Sequence, residues 1–323
     1  MKKGFIFIAL ATVLFSTMEI ALKRIAGDFN PVQLTATRFL IGGIFLIPFA
    51  VAMLKKRGVH ISGKDIGFFA VLGLVGIAAS MMLYQMAILN EKASVVAAVF
   101  SCNPAFVMLF AAIFLREKIH KNNAAAIILE IAGIAIMVNP FQLQGNSYGI
   151  LFTLLSLILF ALYSVFGKRK CAKYGGATVT CFSFLFGAAE LLVFILLGHI
   201  GGVASFLQAN HLEIFANVPL FTGYSAANIG YFLYISIGIT GLGFASYFMA
   251  MEYTSASTTS VVFFFKPVLA TVLAALFLQE MIPVSMVVGI AVMLAGSLAM
   301  LLPGFLQKRG QPLTMKAMNG KRA

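Results

Sequence analysis

The sequence predicts an all-α fold, a polytopic membrane protein of ten transmembrane helices arranged as two inverted five-helix repeats. Three observations predict it: the chain is too apolar for a water-soluble globule, its apolar residues fall into ten runs of membrane-spanning length, and its second half repeats its first.

Of 323 residues 61% are hydrophobic, and only 33 are charged (23 Lys and Arg plus 10 Asp and Glu). Soluble chains are roughly 45–50% apolar even with glycine counted. So few charges cannot coat this surface in water, whereas lipid solvates apolar faces directly. A net charge of +13 in a soluble domain would suggest a nucleic-acid partner, but here the basic residues alternate between connections, so no nucleic acid is expected. Cys102, Cys171 and Cys181 form no CxxC pair, and His60, His120, His199 and His211 lack metal-ligand spacing, so neither a disulfide framework nor a metal site is indicated. No cofactor is expected either. Gly238, Gly241 and Gly243 sit inside an apolar span with no preceding strand, so they read as a helix-packing surface, and no Walker motif is present.

A helix needs about 20 mainly apolar residues to cross the hydrocarbon core. In the first half such runs lie near 4–22, 31–53, 66–88, 93–115 and 122–138 (helices 1 to 5). In the second half they lie near 148–167, 177–198, 229–249, 255–278 and 284–302 (helices 6 to 10). They are continuously apolar, unlike the alternating ten-residue strands of a barrel. Helix 1 begins MKKGFIFIALATVLFS, which resembles a signal peptide, but the apolar run continues to Leu22 without a small-residue cleavage site and reads as a retained span. With the N-terminus in the cytoplasm, inner loops and tails hold eighteen Lys and Arg and the outer connections only Lys23, Arg24 and Lys92. That bias fixes the expected orientation, and an even number of spans returns the C-terminus to the cytoplasm. The connection 199–228 carries Val203, Phe206, Leu207, Ile214 and Phe215 with little charge and reads as a surface-lying helix.

Shifting the chain by 163 places residues 84–119 on 247–282 without a gap, with fourteen of thirty-six positions identical. The identities include Tyr84 with Tyr247, Phe100 with Phe263, Pro104 with Pro267 and Glu117 with Glu280. A shift of 145 aligns the earlier helices, pairing Phe15 with Phe160, Lys23 and Arg24 with Lys168 and Arg169, and Phe39 with Phe184. The expected units are therefore a first repeat over 1–140, a second over 141–307 and a basic cytoplasmic tail over 308–323. Five helices is an odd number, so the second repeat enters the membrane from the opposite face. Inverted repeats supply two near-equivalent packings, one open to each side, the architecture of secondary transporters.

The paired stretches PAFVMLFAAIFLRE and PVLATVLAALFLQE, each a proline-initiated half-helix closed by Glu, followed by Gly133 in one half and Gly289 and Gly296 in the other, carry a resemblance. The chain resembles the EamA family of the drug/metabolite transporter superfamily along essentially its whole length. The resemblance implies a multi-pass carrier in the plasma membrane, specifically a bacterial inner membrane, exporting small metabolites such as amino acids. It also implies that helices 1 to 4 and 6 to 9 surround a central cavity and that helices 5 and 10 are peripheral. The chain departs from the pattern at Ala126, opposite Gly289, and at Glu130, where an apolar residue is usual.

The polar residues at membrane depth are the candidate site. Pro104 and Pro267 cannot donate to the carbonyls of Phe100 and Phe263, making hinges or plain kinks. Lys266 lies mid-span, where a lysine costs about 2.5–3.5 kcal/mol to insert. Its repeat counterpart is the neutral Asn103. It is expected to bind an anionic substrate group or take part in proton coupling, or else to pair with Glu130 or Glu190. Arg38 and Glu19 flank one short outer turn and are expected to pair, structurally or as a gate. Glu19, Glu130 and Glu190 are candidate proton carriers, with protons the candidate coupling ion. Tyr84, Gln85, Tyr247 and Asn103 are candidate cavity-lining groups, with interfacial anchoring the alternative for the tyrosines. Phe263, with Phe100, Phe264 or Phe265, offers an apolar wall. The partners expected are a small-molecule substrate and the bilayer, with the chain a monomer or homodimer. An enzyme would call for acidic or His clusters at one membrane face, where only Asp65 and Glu117 stand among the basic residues. A membrane-embedded enzyme and a non-transporting scaffold are the alternatives.

Overall fold

A computed structural model describes residues 2–118, 121–138 and 148–309. Residues 310–323, most of the expected basic tail, lie outside the described residues. Helix 1 spans Lys2–Ile25, helix 2 Pro31–Arg57, helix 3 Gly63–Asn90 and helix 4 Ala93–Leu115. Helix 5 spans Lys121–Val138. Helices 6 to 9 span Tyr148–Tyr174, Gly176–Leu197, Ile229–Tyr253 and Ala256–Phe277, and helix 10 spans Val284–Arg309. Eight of these are long and apolar enough to cross a membrane, and helices 5 and 10 contain the shorter apolar stretches Ala125–Met137 and Val284–Gly296.

Local signals set the ends. Asn30 caps helix 2 by accepting from the Val32 amide at 2.8 Å, with Pro31 in the first turn, where its missing N–H costs nothing. The same helix stops at Gly58, whose φ of 62° is the left-handed conformation glycine adopts freely. Ser62 caps helix 3. The connection 199–228 does contain a short helix, Gly201–Ala209, with Phe206 exposed. Its remainder folds back over helix 2, where Asn30 Nδ2 donates to the Ile214 carbonyl at 2.8 Å and Gln33 Nε2 to the Thr222 carbonyl at 2.7 Å.

Packing follows the internal repeat. Helix 1 lies against helices 8 and 9 as helix 6 lies against helices 3 and 4. Helix 2 packs along helix 7, and helices 5 and 10 pack mainly on each other. The close approaches repeat too. A Cβ at Gly42 would stand 2.9 Å from the Ser236 carbonyl oxygen, and one at the equivalent Gly187 would stand 2.8 Å from the Gly73 carbonyl oxygen.

Several helices are irregular, and the irregularities cluster at the level of the buried polar residues. Helix 1 is interrupted at Thr17. Helix 4 breaks at Ser101–Cys102 and restarts at Asn103, and helix 9 breaks at Ser260–Val261. Helices 3 and 8 each contain a π-helical segment, Leu74–Met81 and Tyr234–Gly243, at overlapping repeat positions. Such widened turns shift the register of the side chains that follow and are frequent at functional sites.

Candidate functional site

Lys266 of helix 9 is fully buried and ion-paired. Its Nζ lies 2.5 Å from Glu19 Oε1 of helix 1 and donates to Tyr84 Oη of helix 3 at 3.3 Å. Tyr84 in turn donates to the same Glu19 oxygen. The ammonium also stands 4.8 Å from the ring centre of Phe100 and 5.7 Å from that of Phe263, where aromatic faces add cation–π attraction.

The repeat equivalents of Lys266, Glu19 and Tyr84 are Asn103, Ser164 and Tyr247. They are neutral, and only two of them meet. Tyr247 Oη donates to Ser164 Oγ at 3.3 Å, and Asn103 Nδ2 donates to the Leu157 carbonyl at 3.1 Å. Between the charged and neutral clusters lie two equivalent ring pairs, Phe15 with Phe160 and Phe100 with Phe263. The Phe100 and Phe263 centroids are 5.7 Å apart, Phe160 stands 5.5 Å from Phe100, and Phe15 stands 6.0 Å from Phe263. The hollow expected at the repeat interface is closed here. Lys266, Glu19, Tyr84 and Asn103 are each 0% exposed, so no water-sized space adjoins them, because rings from both repeats fill the centre.

Arg38 does not pair with Glu19, contrary to expectation, because Glu19 is turned to Lys266. The Arg38 guanidinium is fully buried and stands 4.6 Å from the Phe39 ring centre. All three Arg38 nitrogens, both Gln85 amide atoms, Glu19 Oε2 and Asn103 Oδ1 are buried without hydrogen-bond partners among the described residues. Unpaired polar groups at such depth are costly, and others of the kind lie elsewhere, at Gln33, Ser236, Thr240 and Thr271 among the described residues.

The remaining candidates separate from this cluster. Lys266 pairs with neither Glu130 nor Glu190. Glu130 is buried, with both oxygens unpartnered, on helix 5. Glu190 lines an apolar perimeter cavity of about 380 Å³ with Ala79, Leu191 and Phe194. A matching cavity of about 400 Å³ in the other repeat is lined by the equivalent Leu242, Leu46 and Phe49. Tyr84 and Tyr247 are 0% exposed, so interfacial anchoring is excluded for both. Phe100, Phe263 and Phe264 are buried, whereas Phe265 is 46% exposed on the lipid side and is no part of the wall. Pro104 begins a helical segment after the break in helix 4, where it needs no donor, while Pro267 lies inside a continuous segment and deprives the Phe263 carbonyl of its usual donor.

Comparison with known proteins is decisive at the level of the family. The profile of the EamA-like transporter family matches residues 2–139 and again residues 147–302. The chain belongs to the EamA-like transporter family. It is a multi-pass membrane protein and a transporter by that membership. An uncharacterized transporter of Clostridium kluyveri is 37% identical over 306 residues, covering 92% of this chain and 93% of that one. The pseudopaline exporter of Pseudomonas aeruginosa is 25% identical over 174 residues, 54% of this EamA-like chain and 60% of the exporter. One solved crystal structure shares the fold with a TM-score of 0.69 at 18% identity, over 96% of this chain and 99% of that one.

Sequence reasoning missed the partner of Lys266. Glu19 stands 247 positions away, and the polar Lys23 and Arg24 made helix 1 seem to end sooner than it does. A signal was present all the same: a lone lysine at mid-span requires a carboxylate, and one repeat carries Glu19 where the other has Ser164.

Proposed function

We propose that this protein is a secondary transporter that exports a small organic metabolite of the amino-acid class by alternating access of its two repeats. One observation carries the reading: a buried ammonium and carboxylate, bridged by a tyrosine hydroxyl, occupy the repeat interface, and the buried Arg38 guanidinium has no hydrogen-bond partner among the described residues. A zwitterion suits this arrangement. Its carboxylate would find Lys266 and Arg38, its ammonium would find Glu19, and its side chain would rest among Phe100, Phe263 and their equivalents. Tyr247, Asn103 and Gln85 would supply neutral contacts.

The closed conformation then corresponds to an occluded stage of the cycle, and the hollow opens when the repeats rock about the level of Pro104 and Pro267, helped by the breaks at Ser101–Cys102 and Ser260–Val261. Buried charge is retained at a cost in stability, and a substrate that exchanges ion-pair partners gives that cost a function. Glu19 is the carboxylate we assign to proton coupling, because releasing Lys266 and binding a proton are alternatives for the same oxygens. Glu130 and Glu190 lie apart from the cluster and are not needed for it.

Export, in preference to uptake, draws support from the likeness to the pseudopaline exporter over half the chain. The basic connections support a cytoplasmic N-terminus in a bacterial inner membrane. Against an enzyme stands the engagement of the acidic residues near the membrane faces, since Asp65 pairs with Lys170 at 2.6 Å and Glu117 accepts from backbone amides of helix 9. Thermal unfolding of the detergent-purified chain against a panel of amino acids tests the site. The reading expects at least one amino acid to raise Tm, and Lys266→Met or Arg38→Gln to remove that shift. A shift untouched by both substitutions would move the site elsewhere.

A further inference from the structure

Beyond the midplane cluster, four charged residues that the substrate site does not use form two matching devices, one at each membrane face. At the face reached by the end of helix 1, Lys23 Nζ donates to the Ile88 carbonyl at 2.7 Å and to the Glu91 carbonyl at 2.8 Å. Glu280, just beyond helix 9, accepts from the Ala93 and Ser94 amides at 2.8 and 3.1 Å and from Ser94 Oγ at 2.5 Å. The tight turn joining helices 3 and 4 is therefore held on both sides. A cation meets the carbonyl end of helix 3 and an anion meets the amide end of helix 4, each at the helix terminus whose partial charge it complements.

At the opposite face the arrangement recurs with equivalent residues. Lys168 of helix 6 donates to the Met251 carbonyl and to the Thr254 carbonyl, the latter at 2.7 Å. Glu117, just beyond helix 4, accepts from the Ala256 and Ser257 amides at 3.1 and 3.3 Å and from Ser257 Oγ at 2.7 Å. Here the held turn joins helices 8 and 9. Every member maps onto its counterpart by the two repeat offsets: Lys23 to Lys168, Ile88 to Met251, Glu91 to Thr254, Ser94 to Ser257 and Glu280 to Glu117.

We propose that Lys23 with Glu280 and Lys168 with Glu117 are the two gates of the transport cycle, each closing one face by gripping the turn between two helices that carry site residues. The turn at one face precedes helix 4, which carries Asn103, and follows helix 3, which carries Tyr84. The turn at the other face joins helix 8, carrying Tyr247, to helix 9, carrying Lys266. Releasing a clamp frees two walls of the site at one face while the other clamp keeps the opposite face shut. Both clamps are closed together here, as an occluded state requires. All four residues are half-buried, so water reaches each clamp once it parts. The inference rests on the alternating-access reading, but its test reads conformation without substrate.

Spin labels at Gly27 and Asn90 report the first face, and labels at the repeat-equivalent Ala172 and Tyr253 report the second, all four sites being exposed. Pulsed dipolar distances are measured in nanodiscs. Lys23→Met with Glu280→Gln should add a longer-distance population to the first pair and leave the second unchanged. Lys168→Met with Glu117→Gln should do the reverse. Equal broadening at both faces, or none at either, would overturn the gates while leaving the substrate site standing, because amino-acid binding is read separately by thermal shift. If a double variant fails to insert, a flexible bifunctional thiol reagent joining the same two positions as cysteines in the otherwise native chain makes the converse test. Joining either face must abolish exchange and cleaving the link must restore it; exchange that persists with a face locked overturns the proposal.

Discussion

Lys266 and Asn103 occupy equivalent positions in the two repeats, each one residue before an equivalent proline, yet Lys266 is ion-paired to Glu19 at 2.5 Å whereas Asn103 Nδ2 reaches only the Leu157 carbonyl at 3.1 Å. The inverted repeat thus builds one scaffold twice and loads it with charge once. A symmetric scaffold supplies two similar packings, and an asymmetric load gives the two packings different affinities for an ion or substrate.

Removing one member of the pair should be worse than removing both. Lys266→Met leaves Glu19 buried without its cation, a loss of about 3–5 kcal/mol for a broken buried pair. Adding Glu19→Gln removes the orphaned charge. The double variant should unfold at a higher temperature than Lys266→Met alone and remain inactive, which calorimetry and flux measurement check together.

The two equivalent tyrosines should respond unequally. Tyr84→Phe deletes a hydroxyl that touches both Glu19 and Lys266. Tyr247→Phe deletes one neutral bond of 3.3 Å to Ser164. A hydrogen bond to a charged group is worth about 1.5–3 kcal/mol against about 1 for a neutral one. Initial transport rates should fall about tenfold or more for Tyr84→Phe and only a few-fold for Tyr247→Phe.

Most of the fold and part of the candidate site are legible in the sequence, and the division has physical causes. Lipid imposes continuous apolar runs, so the ten helices are legible, and the repeat shows itself through identities such as Glu117 with Glu280. Lys266 and Asn103 stand out because charged and amide groups at mid-span are few, and Tyr84 with Tyr247 and Phe100 with Phe263 because they recur at equivalent positions. The contact of Glu19 with Lys266 is not legible, because it depends on how helix 1 crosses helix 9. Nor are the π-helical segments, since a widened turn leaves hydropathy unchanged. The same limit hid the clamps, where side chains meet backbone groups that every residue carries.

Glu130 is the carboxylate whose removal should help. Its repeat equivalent is Met293, and its two oxygens lack partners among the described residues. Glu130→Met should stabilise the chain by about 1–3 kcal/mol, the penalty of an unsatisfied buried polar group, with flux retained. A stable variant that no longer transports would place Glu130 in the coupling path after all.

If Glu19 carries the coupling proton, as we propose, the pH dependence of exchange should vanish in Glu19→Gln and persist in Glu190→Gln. Comparing flux across a pH series in both variants checks this, and a flattened profile in Glu190→Gln alone would shift the coupling site to the perimeter.

Orientation is open to a chemical test that the native cysteines do not disturb, since all three are buried. Lys64 lies exposed at the start of helix 3. A cysteine placed there should react with an impermeant maleimide only after cells are permeabilised.

Counterflow of radiolabelled amino acids by the purified chain in proteoliposomes tests whether the Lys266–Glu19 pair belongs to a transport site. At least one amino acid should exchange, reduced to background by Lys266→Met while the variant stays folded and inserted. Exchange by Lys266→Met at the native rate would contradict that role, and so would a chain that moves none of the amino acids.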